Sequence, residues 1–130
     1  MEITNLTGKK TDTGFLKKVA QKTQNVICEK KLGDISLVLV DENKIKEINR
    51  KYRHQNRPTD VLSFEGLNEI FICPDVVKKD AKRQKIPYKT ELTRVLIHGI
   101  LHLAGYEHEK NKKEAGKMRK MEDKILKELV

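Results

Sequence analysis

The sequence predicts an α+β fold: a single domain over residues 1–130, in which a small mixed β-sheet carries helices packed on it. Three observations lead there. Short apolar runs bounded by turn residues alternate with stretches of helical periodicity. Two of those runs, 61–64 and 69–73, are close enough to pair as a hairpin around Gly66. One long segment, from about residue 88 to 104, is apolar on most sides, as a helix at the centre of a core must be.

Residues 2–6 suit a short first strand. From 13 to 31, Phe15, Leu16, Val19, Ala20, Val26 and Ile27 recur at helical spacing, and Gly33-Asp34 makes the following turn. Residues 35–40 are nearly continuous in apolar side chains and read as a buried strand. Asp41 can cap a helix that carries Ile45, Ile48 and Tyr52 on one side. Pro58 lies in a loop ahead of the hairpin, and Pro74 suits the first turn of a helix running to about Gln84. Pro87 breaks the chain before the central helix of Leu92, Val95, Leu96, Ile97, Ile100, Leu101 and Leu103. A last amphipathic helix, from about 112 to 129, presents Ala115, Met118, Met121, Ile125 and Leu129 to the body.

At 130 residues the chain is long enough to bury a real core. It has no apolar stretch that could span a bilayer and no signal-peptide pattern at its N-terminus, so a cytoplasmic location is expected. Cys28 and Cys73 lie far apart outside any C-x-x-C and are expected to be buried and reduced. The formal net charge of +9 favours polyanionic partners. The basic run from Lys110 to Lys120 is interleaved with acids farther along and reads equally well as a solvated helix face.

Three of the four histidines fall in one run, His98-Gly99-Ile100-Leu101-His102-Leu103-Ala104-Gly105-Tyr106-Glu107-His108. Residues four apart share a helix face, so His98 and His102 can hold one ion together. Gly105 permits a left-handed turn that brings His108 back toward the same point. Three imidazoles and one open position describe a catalytic zinc site, one ion per chain, on the central buried helix and the turn after it. The spacing is that of H-E-x-x-H-x-x-G-x-x-H metalloproteases, but Gly99 stands where those enzymes carry their general base, which argues against proteolysis. Glu91 is nearly two turns before His98 and almost in line with it. It is a candidate base or a support for His98, the alternative being a helix-start carboxylate facing water.

The histidine run closely resembles the YbeY family signature H-G-x-L-H-L-x-G-Y-D-H. Ile48-Asn49-Arg50-Lys51-Tyr52-Arg53 is similar to its L-N-x-x-Y-R segment, and Pro58-Thr59-Asp60-Val61-Leu62-Ser63-Phe64 to its P-T-D-V-L-S-F segment. The blocks keep their order and cover most of the chain. The resemblance implies a zinc-dependent endoribonuclease acting on single-stranded RNA, with a role in 16S rRNA 3′-end maturation and ribosome biogenesis. It also implies association with the small ribosomal subunit and its assembly factors. The zinc-ligand roles carry onto His98, His102 and His108. Arg53 corresponds to the arginine of the Tyr-Arg segment and is a candidate for gripping phosphate with its two-pronged guanidinium. The sequence departs from the family pattern at Glu107, where aspartate is usual, at Glu65 in place of proline, and at Asn68-Glu69-Ile70.

Around these, Lys51, His54 and Arg57 are candidates to extend an RNA-binding surface, and Glu107 to orient an imidazole as a carboxylate next to a ligand. Ser63 is expected to serve strand or turn hydrogen bonding, since no triad partner pattern accompanies it. Tyr52, Tyr88 and Tyr106 could stack on bases, but with 5% aromatics and no stacking motif they are expected at the core or its rim. Two routes to cleavage stay open, direct attack of hydroxide on phosphorus or attack by the 2′-hydroxyl. Two other functions also stay open: a zinc-stabilised RNA-binding assembly factor that does not cut, and a hydrolase of another phosphoester or amide.

Overall fold

The computed structural model describes residues 1–27, 32–106 and 112–130. Its elements follow the chain as β1 (Glu2–Asn5), α1 (Thr13–Val26), β2 (Ser36–Leu39), α2 (Glu42–Arg53), β3 (Val61–Phe64), β4 (Glu69–Ile72), α3 (Pro74–Gln84), α4 (Tyr88–Leu103) and α5 (Lys112–Leu129). A single 3-10 turn, Glu65–Leu67, joins β3 to β4. The four strands order as β1-β2-β4-β3. β1, β2 and β4 run parallel, and β3 pairs antiparallel to β4, with Leu62 opposite Phe71 and Ser63 opposite Ile70. This is the mixed sheet and hairpin that the sequence predicts.

Strand alternation separates the sheet's two faces. Leu37, Leu39, Ile70 and Ile72 point one way, into the main core built by α1, α4 and α5. Val38, Phe71, Leu62 and Phe64 point the other way, and α2 covers them with Ile45 and Ile48. The central helix is α4, packed against α1, α3, α5 and the β3–β4 hairpin. Its Leu96, Ile97, Ile100 and Leu101 are fully buried, each worth about 1.5–3 kcal/mol relative to exposure.

The helix ends obey local chemistry. Asp12 and Asp41 cap α1 and α2 by accepting from the backbone N–H groups of Phe15 and Lys44. Pro74 occupies the first turn of α3. α1 ends at Val26 with Ile27 as its cap; residues 28–31, with Cys28, lie outside the described part. Cys73 is buried and reduced, and no described helix is long and apolar enough to cross a membrane.

Candidate metal and phosphate site

The last turns of α4 carry His98 and His102 into an open cleft of about 870 Å³. The rest of its wall comes from the C-terminal part of α2 and from β3 with the turn after it. α4 then stops sharply. Gly105 adopts φ +93°, its N–H reaching the carbonyl of His102 at 3.0 Å, while Tyr106 N–H reaches that of Leu101 at 3.1 Å. These are the paired bonds of a left-handed helix terminus, and they turn the chain immediately beyond His102. His108 and Glu107, expected in that return, lie outside the described residues. Among the described residues no three metal-ligating side chains converge, which leaves two of the expected ligands in view.

Nδ1 of His98 lies 2.6 Å from Oε1 of Glu122 on α5. A carboxylate can only accept, so Nδ1 carries the proton and the ring's lone pair is on Nε2. Carboxylate-supported imidazoles of this kind are the usual arrangement in zinc sites, where the acid fixes tautomer and ring orientation. The two described imidazoles therefore have the chemistry of a zinc site, which needs a further ligand. Glu122 escapes notice in the sequence because α5 is rich in charge. One signal was available: it falls four residues after Met118 and three before Ile125, on the stripe that faces the core, and it is buried.

Glu91 does not play that part. A rise of seven residues puts it about 10 Å along the axis from His98. There it is buried, accepts a 2.6 Å bond from Gln84 Nε2 and sits 3.7 Å from Arg94. It is outside the cleft lining and does not face water either, so both sequence expectations for it give way to a tie between α3 and α4. Gly99 is buried against the hairpin. A Cβ there would stand 3.3 Å from two Ile70 carbons and from Ser63 Oγ. The position filled by glutamate in the proteases thus faces the sheet in this chain.

Arg53, the last residue of α2, lines the cleft. Its Nη2 donates to the Ser63 carbonyl at 2.8 Å and its guanidinium lies 5.4 Å from the Phe64 ring. Those contacts aim a flexible cation and leave further N–H groups of the fork for a ligand. Ser63 is itself buried, and its hydroxyl donates to the Gly99 carbonyl at 3.3 Å, the hydrogen-bonding role expected of it. Tyr52 also lines the cleft, exposed, with its ring edge-on to Phe64 at 5.6 Å.

The other basic candidates lie outside the cleft lining. Lys51 sits over the Tyr52 ring, its ammonium 5.4 Å from the ring centre. His54 closes α2 in a left-handed conformation, φ +58°. Arg57 clamps the side-chain oxygen of Gln55, which does line the cleft, with Nε at 3.0 Å and Nη2 at 2.8 Å. Asn49 was not singled out by the sequence, yet it is buried and shapes the rim. Its side chain donates to Arg57 O at 2.9 Å, and its carbonyl receives the N–H of both His54 and Gln55. A polar residue next to Ile48 inside an apolar stripe was the available signal. Nearby, burial holds the Asp60 carboxyl above its ordinary value, with Asp80 adding repulsion, against hydrogen bonds from Val61 and Thr59.

Comparison with known proteins gives the family and the fold. Residues 2–130 match the Endoribonuclease YbeY family. The chain belongs to that family. Relatives named Endoribonuclease YbeY include one from Thermotoga neapolitana, 43% identical over 110 residues, covering 80% of this chain and 73% of the relative. Another from Thermotoga maritima is 38% identical over 122 residues, covering 88% and 81%. A solution structure of a Thermotoga maritima protein superposes with a TM-score of 0.66 at 36% identity, over 98% of this chain and 88% of that one. The α+β architecture is therefore the family's.

Proposed function

We propose that this chain is a zinc-dependent endoribonuclease that cuts single-stranded RNA. Its cellular task in this reading is 16S rRNA 3′-end maturation in the cytoplasm, in association with the small ribosomal subunit and its assembly factors. The observation that carries the reading is that His98, His102 and Arg53 line one cleft: two imidazoles on one helix face and an anchored guanidinium. The names of the family's members and the net charge of +9 support RNA as the substrate.

His98, His102 and His108 would hold the zinc. When bound, the ion polarises a phosphoryl oxygen and brings the pKa of water to about 7. The remaining work belongs to the chain. Glu122 keeps the His98 ring in one tautomer and orientation. Arg53, steadied by the Ser63 carbonyl and the Phe64 ring, meets the negative charge that grows on phosphate. Tyr52 offers an exposed ring on which a base of single-stranded RNA can stack. Gly99, packed on Ile70 and Ser63, leaves no room for a protease's glutamate.

The test pairs metal content with cleavage. Wild type and His102→Ala are assayed for bound zinc and incubated with single-stranded RNA spanning a 16S 3′ end. Wild type should hold one zinc and cut; the variant should do neither. If wild type holds zinc and binds RNA but never cuts, even with ribosomal subunits present, the chain is an RNA-binding assembly factor instead.

A further inference from the structure

A second cavity, of about 270 Å³, lies at the opposite end of α4 from the histidines. Four lysines line it (Lys9, Lys10, Lys78 and Lys89) against two aspartates, Asp12 and Asp75. Both acids are already engaged. Asp12 caps α1, and Asp75 pairs with Lys9 at 3.2 Å. Lys10, Lys78 and Lys89 are exposed and have no acidic partner among the described residues. Two rings complete the wall. Phe15 and Tyr88 are both half-buried, with the ammonium of Lys89 4.2 Å from the first ring centre and that of Lys78 5.3 Å from the second. Burial raises the Tyr88 hydroxyl above its ordinary value, with Asp75 and Cys73 adding, so it stays a neutral donor.

Lysines for phosphate interleaved with rings for bases is the chemistry of single-stranded nucleic-acid binding. The place is suitable as well. The cavity sits where β1 and β4 hand over to α1 and α3, at the carboxyl ends of parallel strands. The first turns of α1, α3 and α4 add partial positive charge to what the lysines supply. Its volume falls just under the range of about 300–1,000 Å³ usual for small-molecule pockets, which suits one nucleotide.

We propose that this basic, ring-lined cavity is a second RNA contact, holding one nucleotide of the single strand away from the scissile bond. The proposal rests on the reading of the chain as an RNA enzyme. Tyr88 and His98 are ten residues apart on one helix, about 15 Å along its axis, so only an RNA long enough to bridge that distance engages both sites. The cavity would then select for length and register and leave the chemistry to the histidine cleft.

The experiment compares Lys78→Gln/Lys89→Gln with Lys120→Gln/Lys124→Gln, an exposed pair on α5 that removes the same charge. Affinity for a long single-stranded RNA is measured across salt concentrations, and cleavage of the long RNA and of a dinucleotide is followed. The cavity pair should raise the Kd for the long RNA about tenfold. It should also lower the salt slope by about 1.4, the value for two phosphate contacts on a single strand. Dinucleotide cleavage should be unchanged, and the α5 pair should have the smaller effect. Ultraviolet crosslinking of 4-thiouridine RNA should mark the peptides holding Phe15 or Tyr88. Equal effects from the two pairs, or crosslinks that avoid both rings, overturn the proposal while leaving the RNA reading intact. RNA that binds and crosslinks at the rings but is never cut supports the cavity and removes the nuclease reading. A wild type that binds no RNA removes both.

Discussion

Nδ1 of His98 and Oε1 of Glu122, twenty-four residues apart in sequence, meet at 2.6 Å and tie the central helix to the last one. The contact gives α5 a role that its amphipathic pattern does not suggest. α5 covers the core and also sets the orientation of the His98 imidazole. Replacing Glu122 by alanine should weaken zinc affinity by about 10–100-fold, as removal of such supports does elsewhere. Glu122→Gln keeps an oxygen that can accept from Nδ1 and should lose less. Competition with a chromogenic chelator measures both, and an alanine variant with wild-type affinity would end this account of the site.

Arg53 is aimed by Ser63 and Phe64. Arg53→Lys keeps the charge but not the planar fork, so it cannot hold the carbonyl and grip two phosphate oxygens together. RNA cleavage should fall by about 10-fold or more while bound zinc stays at the wild-type level. A variant that loses zinc in parallel with activity would make Arg53 a structural residue.

Gly99 links the site to the hairpin. Gly99→Ala gains helix propensity worth about 1 kcal/mol but presses a methyl against Ile70 and Ser63 at 3.3 Å. Its stability should stay within about 1 kcal/mol of wild type, because Ile70 side-chain carbons can yield by a few tenths of an ångström. Gly99→Glu has no such escape. It forces a long acid into a buried contact and should destabilise the fold by about 3 kcal/mol or more, without any peptidase activity. Urea unfolding of the two variants checks the order; a Gly99→Glu protein as stable as wild type would mean that α4 stands farther from the sheet than found here.

Much of this was legible in the sequence because local rules and tertiary burial agree. Asp41 and Pro74 begin their helices where capping chemistry puts them. The short apolar run around Leu62 and the turn at Gly66 give the hairpin. His98 and His102 share a face because helical spacing requires it. The misses arise where long side chains choose partners across elements. Glu91 is in line with His98 on the helix, yet two turns of rise put it beside Gln84. Glu122 and Asn49 sit on apolar stripes, and periodicity alone cannot say which polar group waits on the other side. Lys51 is two residues before Arg53 and so on another side of α2, while His54 and Arg57 follow the left-handed end of that helix, so the three leave the direction of Arg53.

Asp60 gives a pH signature for the loop that precedes β3. Its backbone carbonyl accepts from Cys73 N–H at 2.9 Å, so the start of the hairpin is fixed and the carboxyl is held in a partly desolvated place. With the folded pKa above the unfolded value near 3.8, the folded state binds the proton more tightly. The stabilising contribution of the protonated group is complete below the unfolded pKa and is lost as pH rises through the higher folded one. As pH rises, the carboxyl ionises in a half-buried place, which costs the folded state. Asp60→Asn removes that dependence while keeping an oxygen for the Val61 and Thr59 hydrogen bonds. The variant should gain stability relative to wild type as pH rises from about 3.5 to 7. Urea midpoints for both proteins across that range give the difference directly, and a difference that is flat or falls with pH would show that the Val61 and Thr59 hydrogen bonds outweigh burial at this carboxylate.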